Sequence, residues 1–286
     1  MAKISVFGAS GFIGSRFCAL YPGVAEAEPR DAETPANDQL LYLISTTHNY
    51  HVYEDLERDI ATNLTRLMRV LEHCRERDVT VNFVSSWFVY GEQQQLPAKE
   101  SAPCNPRGFY AITKKCAEDL LASYCQTFGK KYRILRLSNV YGPGDRFSER
   151  KNALQYLVQK LVRNEPVELF AGGLSVRDYL YVDDVCRALK LCLEAAPLGE
   201  ITNVGSGQPV RFGDLITYCR QHLGSQSVVT GTAVPAFHRS VQAQDFWLDV
   251  TKLQGLGFAP EVELMDGLNR VMEALVRAEP GSGASG

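Results

Sequence analysis

KISVFGASGFIG, residues 3–14, decides the fold. Residues 3–8 form a short run with β-branched members that ends in glycine, and residues 12–20 then carry apolar side chains at helical spacing. That order reads as strand, turn, helix. Gly8, Gly11 and Gly14 occupy the turn and the mouth of the helix as G-x-x-G-x-x-G. Backbone amides and the helix dipole at such a place favour a pyrophosphate, so the context predicts dinucleotide binding, although the same spacing also occurs in plain tight turns.

Outward from that stretch the pattern repeats. Residues 22–39, rich in Pro, Glu, Asp and Ala, hold only a weak strand candidate at 23–28, and LLYLIS at 40–45 is an apolar strand of the kind buried in a parallel sheet. Ile60, Leu64, Leu67, Leu71 and Cys74 mark one face of a long helix over about 56–77. VTVNFVSS at 79–86 is a strand, 91–108 a polar loop, and 110–128 a second long helix with Leu120, Leu121, Tyr124 and Cys125 as its stripe. YRILRLSNVYG at 132–142 is again strand and turn. Strands alternating with helices of this length predict an α/β fold with a doubly wound, Rossmann-like parallel sheet over 1–150.

Beyond 150 the texture changes. A helix near 152–163, the strand PVELF, a loop with Gly172 and Gly173, the strand DYLYV, a helix at 183–195, the strand ITNVG, a helix at 211–222 and a polar stretch to about 247 succeed one another. They predict a smaller mixed α/β substrate lobe over 151–278 with segments returning to the sheet. The tail EPGSGASG, 279–286, has almost no apolar content and is expected to be disordered.

Bulk composition narrows the function classes. With 22% charged residues and a net charge of −3 there is no basic field to hold a nucleic-acid backbone. The apolar runs are too short to span a bilayer, and the N-terminus lacks the layout of an export signal, so a cytoplasmic protein with no membrane partner is expected. The eight cysteines stand singly with no C-x-x-C pair, which suits free thiols in a reducing compartment. His48 and His51 have no cysteine neighbour, and no metal site is expected.

Tyr110 and Lys114 are one helical turn apart and project from one face of the helix that succeeds the polar loop. An ammonium beside a phenol would lower the phenol's pKa, and Ser86, at the C-terminal end of a central strand, would orient the proton it exchanges. Each of the three residues alone is ordinary at such spacing.

Together these pieces resemble the extended short-chain dehydrogenase/reductases that act on nucleotide sugars, a group of epimerases, dehydratases and ketoreductases. GASGFIGS is similar to that family's cofactor loop, SSWFVYG to its serine segment, and FYAITKKCAE to its Y-x-x-x-K helix with a following Glu118. RLSNVYGPGD, SVRDYLYVDDV, NVGSG and HRSVQAQDFWLDVTKLQGLGFAP are similar to later segments in the same order. The resemblance implies a nicotinamide cofactor held by Gly8, Ser10, Gly11, Phe12, Ile13, Gly14, Ser45, Tyr110 and Lys114. It implies Tyr110 as general acid or base, Lys114 as its tuner and ribose ligand, and Ser86 on the sugar oxygen. It also places Asn139, Asn152, Arg177 and Arg239 on a nucleoside-diphosphate sugar, the arginines as forks on phosphate. A homodimer built from the two long helices is implied as well.

The chain departs from that family in three places. Trp87 and Phe88 stand where dehydratases carry an Asp-Glu pair, so dehydration is disfavoured. Ser45-Thr46 replaces a small Ala-Ala pair, and His48 follows in a loop. In the shortened 22–39 segment no acid matches the usual adenosine-ribose contact clearly; Asp31 stands near it, and Arg30 could meet a 2′-phosphate, which leans the cofactor from NAD towards NADP. The leading expectation is a 4-keto sugar nucleotide reductase, the alternative an NAD-dependent C4 epimerase, and the alternative of another class a non-catalytic cofactor-binding sensor or assembly factor.

Overall fold

β1 (Ile4–Phe7) is buried along its whole length because parallel strands flank it on both edges and helices cover both faces. A computed structural model describes residues 3–145 and 153–279. After β1 the chain runs through α1 (Phe12–Leu20) to β2 (Ala25–Ala27), then crosses back to β3 (Gln39–Tyr42) on the other side of β1. It continues outward through α2 (Arg58–Ile60) and α3 (Arg66–His73) to β4 (Thr80–Ser86), and through α4 (Phe109–Phe128) to β5 (Lys131–Leu137). After the short β6 (Asn139–Tyr141), α5 (Ala153–Val162), β7 (Val167–Phe170), β8 (Val176–Arg177), β9 (Tyr179–Tyr181) and α6 (Val182–Ala195), the chain adds β10 (Glu200–Val204) beside β5.

The six-stranded sheet is parallel throughout, in the order β10-β5-β4-β3-β1-β2. This is the doubly wound, Rossmann-like α/β fold expected. Alternate side chains feed two cores: Ile4, Val6, Leu41 and Leu135 pack with Phe17 of α1 and Leu189 of α6, whereas Phe7, Leu40, Phe83 and Ile134 pack with Leu67 and Leu71 of α3 and Leu121 of α4. Because the strand order reverses between β1 and β3, their C-terminal ends open a crevice, the usual ligand position in such sheets.

The remaining segments are β11 (Val210–Arg211), α7 (Phe212–His222), β12 (Val229–Thr232), α8 (Ala236–Val241), α9 (Thr251–Gly255) and α10 (Leu264–Ala278). Three two-stranded pairs, β11 with β8, β12 with β7 and β6 with β9, join α5, α7 and α10 around a third core that includes Leu157, Ile216 and Val271. The polar stretch before 247 thus carries β12 and α8. Of the tail expected to be disordered, only Glu279 lies among the described residues, where it pairs with Arg163 at 2.8 Å.

The helix expected over 56–77 differs in detail. It consists of α2, a π-helical turn at Ala61–Thr65 and α3, and it ends at His73. Leu67, Leu71 and Cys74 are buried as expected, but Ile60 is 47% exposed. The extra residue of a π turn rotates the helix on its N-terminal side by about 100° relative to the helix on its C-terminal side, so the apolar phase read from the sequence holds only after the turn. In α4, Leu121 and Cys125 are buried, whereas Leu120 faces outward. All eight cysteines are free thiols. No helix among the described residues is long and apolar enough to cross a membrane.

Candidate active site

The turn between β1 and α1 is shaped by its glycines. Gly8 has φ +87°, Gly11 donates its amide to the Gly8 carbonyl at 2.9 Å, and a Cβ on Gly14 would run into the Gly8 carbonyl and Ala9. Gly11 is the N-cap of α1; no side chain caps this end and its first turn has no acid. The leading amides and the positive end of the helix dipole are therefore left for an anion, which fits the pyrophosphate of a nicotinamide dinucleotide. Ser10 is exposed on this turn, while Phe12 and Ile13 open the helix.

At the end of β2 the structure places an acid that sequence reasoning passed over. The pairing of Ala25–Ala27 with Ile4–Val6 makes Glu28 the residue that leaves the strand, and its Oε1 accepts the Ala36 amide at 2.7 Å. Arg30 comes next but one, exposed, with its carbonyl accepting from Arg66 at 3.2 Å. Glu28 lies twenty residues after Gly8, a spacing at which a carboxylate meets the adenosine ribose in dinucleotide folds.

Ser86, Tyr110, Lys114 and Ser45 come together over the ends of β3 and β4. The Tyr110 side chain is buried, which raises its pKa; the nearby Ser86 hydroxyl pulls it down, the Asp59 charge adds to the rise, and Ser45 pulls it down again. Ser86 Oγ also accepts the Phe88 amide at 3.3 Å, and the Phe88 ring stands edge-on to Tyr110 with centroids 5.6 Å apart. The contacts of the Lys114 ammonium are with β4. Its Nζ donates to the Val84 carbonyl at 2.7 Å and lies 4.1 Å from the centroid of the Phe83 ring.

Burial lowers the Lys114 pKa to about 7, against a smaller raising effect of Glu118 one turn along. The folded pKa lies below the unfolded value of 10.5, so between these values the unfolded chain binds the extra proton and stability rises with pH. Below pH 7 the buried charge carries its full penalty. Lys114→Met is therefore expected to melt above wild type at about pH 6 and to lose that advantage towards pH 10.5. Melting curves across this range check it; a variant less stable than wild type at the acid end contradicts it.

Around Tyr110 lies a saturated polar network. Asn63, in the π turn and 1% exposed, accepts from the Ser45 hydroxyl at 3.1 Å and the Thr46 amide at 2.9 Å, and donates to the Thr46 and Thr113 hydroxyls at 2.8 and 2.9 Å. Every donor and acceptor of its amide is used. Thr46 in turn donates to the buried carboxylate of Asp59. The polar pair Ser45-Thr46, in place of two alanines, was the signal of this network in the sequence; Asn63 and Asp59 gave none, because they interrupt an apolar stripe as ordinary polar helix residues would.

On the substrate side, Trp87 organises the residues. Its Nε1 donates to Asn139 Oδ1 at 3.3 Å, its ring stacks on Phe246 at 4.8 Å, and the Arg177 guanidinium lies 5.5 Å from its centroid. Asn139 Nδ2 donates to the Asp178 carbonyl at 2.9 Å. Arg177 is 8% exposed, and its guanidinium donates to the carbonyls of Val176 at 2.9 Å, Ala243 at 2.8 Å and Gln244. Arg239 stands exposed on α8. The preceding His238 is close enough to Arg177 for the guanidinium to add to the lowering of its pKa by burial, and its Nδ1 meets the Tyr50 hydroxyl at 3.1 Å. Asn152 lies outside the described residues.

Residues 34–205 match the family model described as the NAD dependent epimerase/dehydratase family. The chain belongs to that family. A relative within it, a putative UDP-glucose 4-epimerase of Methanocaldococcus jannaschii, is 31% identical over 73% of this chain and 68% of its own length. The dTDP-4-dehydro-6-deoxyglucose reductase of Escherichia coli is 25% identical over 82% of this chain and 74% of its own. The crystal structure of a UDP-glucose 4-epimerase from Thermotoga maritima, solved with UDP-glucose, superposes with a TM-score of 0.87 at 25% identity and covers 96% of this chain and 99% of that one. The chain is thus an NAD(P)-dependent enzyme of the nucleotide-sugar epimerase, dehydratase and reductase type.

Proposed function

We propose that this epimerase/dehydratase family member reduces the 4-keto group of a nucleoside-diphosphate sugar. The observation that carries the reading is the buried Tyr110, with Ser86 and Ser45 near enough to its hydroxyl to lower its pKa and Lys114 buried one turn away. A nicotinamide bound against the Gly8–Gly14 turn would supply the hydride. Tyr110 gives its proton to the sugar oxygen, and Ser86 orients that oxygen. In its cationic form Lys114 would favour the negative charge that develops at the phenol and so the transfer. Trp87 and Phe88 supply no carboxylate beside the reacting pair, which disfavours dehydration. Arg239, with Asn139 and Asn152, is assigned to the nucleoside diphosphate, Arg177, whose guanidinium is engaged by backbone carbonyls, to bracing that side of the site, and Ile60, Ile112 and Leu120, exposed on α2 and α4, to a homodimer contact.

Glu28 moves the cofactor reading to NAD(H), because a carboxylate at the end of β2 accepts a ribose hydroxyl and repels a 2′-phosphate on the side where Arg30 alone would favour one. The short turn after β2 offers few further adenosine contacts, which suits a cofactor that exchanges at every turnover. The second reading, a C4 epimerase that retains NAD, is favoured by the relative from Methanocaldococcus jannaschii.

One experiment separates the two. The purified protein is given UDP-, CDP-, GDP- and dTDP-linked 4-keto-6-deoxyhexoses with NADH or NADPH. Reduced cofactor, NADH in preference, should disappear in step with a 4-hydroxy product, and protein denatured before any addition should release little NAD. Stoichiometric NAD on denaturation, with interconversion of C4 epimers and no added cofactor, would replace the reductase by the epimerase.

A further inference from the structure

α4 begins without a cap of its own. Gly108 is its N-cap and has no side chain to accept the first amides of the helix, an end where a missing cap costs stability. The acceptor comes from a segment far away in sequence: Asn49 Oδ1 accepts the amide of Tyr110 at 3.1 Å. Asn49 is 3% exposed, and its Nδ2 has no partner among the described residues, so its carbonyl is held in place at the expense of a buried donor. Gly108, at φ +82°, leaves the room this requires, since a Cβ there would collide with the Asn49 amide. Asn49 opens a 3-10 turn, Asn49–Tyr53, that is itself clamped to the small lobe: Tyr50 and Tyr53 meet Phe237 edge-on at 5.2 and 4.9 Å, and the Tyr50 hydroxyl meets His238.

We propose that Asn49 is the positioning residue for Tyr110, holding the first turn of α4 so that the phenol stays at the end of β4 beside Ser86. The inference rests on Tyr110 being the proton-transfer group. The cap acts on the amide of that residue and no other, so its loss loosens the tyrosine before the rest of the helix. Lys114, tied to the Val84 carbonyl one turn further in, is outside its reach.

The test uses the full-length protein with isotope-labelled tyrosine, the Tyr110 ring signal being identified by its absence in Tyr110→Phe. In Asn49→Ala the Tyr110 amide should exchange about 3- to 30-fold faster, the range expected for a lost cap. The ring signal should move towards that of solvent-exposed tyrosine. Turnover of whichever nucleotide sugar the wild type accepts should fall about tenfold or more, with KM and cofactor affinity unchanged, as for a misplaced but intact catalytic group. Asn49→Asp, which keeps the accepting oxygen, should restore exchange, ring signal and turnover together.

Unchanged ring signal and kcat in a folded Asn49→Ala protein overturn the proposal, and so does failure of Asn49→Asp to restore them. A wild type that turns over no nucleotide sugar refutes the functional reading instead, and the exchange and ring signals still decide the role of Asn49.

Discussion

Tyr110→Phe is expected to lower turnover about 10²- to 10⁴-fold, the contribution usual for a positioned proton donor, while cofactor binding stays at the wild-type level. The substitution keeps the ring that meets Phe88 edge-on and removes only the hydroxyl. Even a lost hydrogen bond costs only about 0.5–1.5 kcal/mol of stability, too little to empty the folded state, so the loss is read on folded protein. Kinetics with a 4-keto sugar nucleotide, beside a cofactor titration, measure it. A fall of less than about tenfold, or 1.4 kcal/mol of barrier, would take Tyr110 out of the proton-transfer role.

Arg136→Leu should be the most destabilising single substitution around the site. Arg136 Nε and Nη2 donate to the two oxygens of Glu118 at 3.0 and 2.6 Å, both side chains are 2% exposed, and the guanidinium lies 4.5 Å from the centroid of the Tyr90 ring. Removing the cation strands a buried carboxylate, which costs about 3–5 kcal/mol and lowers Tm by roughly 6–15 °C. Removing both charges avoids that, so the double variant Glu118→Leu with Arg136→Leu should recover most of the loss. Thermal melts of the two single variants and the double one provide the cycle; additive losses would mean that the pair is not coupled. Function enters through Lys114. Without Arg136 the Glu118 charge acts on Lys114 unopposed, and the Lys114 pKa should rise from its lowered value.

The sequence alone determined the part written in short-range patterns. The strand, glycine turn and helix at 3–20, the apolar strands at 40–45 and 79–86, and the one-turn spacing of Tyr110 and Lys114 are set by alternation, helical period and turn chemistry within a few residues. Those patterns suffice for a parallel sheet and for a serine, tyrosine and lysine at its C-terminal edge. They also order the motifs well enough for the family to be read from them.

Tertiary structure alone decided the surroundings of these residues. Asn49 reaches the Tyr110 amide across sixty-one positions, Asn63 joins Thr46 to Thr113, and Arg177 spends its guanidinium on the carbonyls of Ala243 and Gln244. No periodicity records such bonds, because each depends on two distant backbones arriving at one point, and the residues themselves look like ordinary polar positions. The same holds for Glu28, whose place at the end of β2 comes from the pairing of three residues with β1 and not from the composition of 22–39. Lys114 shows both levels in one side chain. Its spacing from Tyr110 is local, but its lowered pKa comes from burial against Phe83 and Val84, strand residues thirty positions away that only folding brings beneath it.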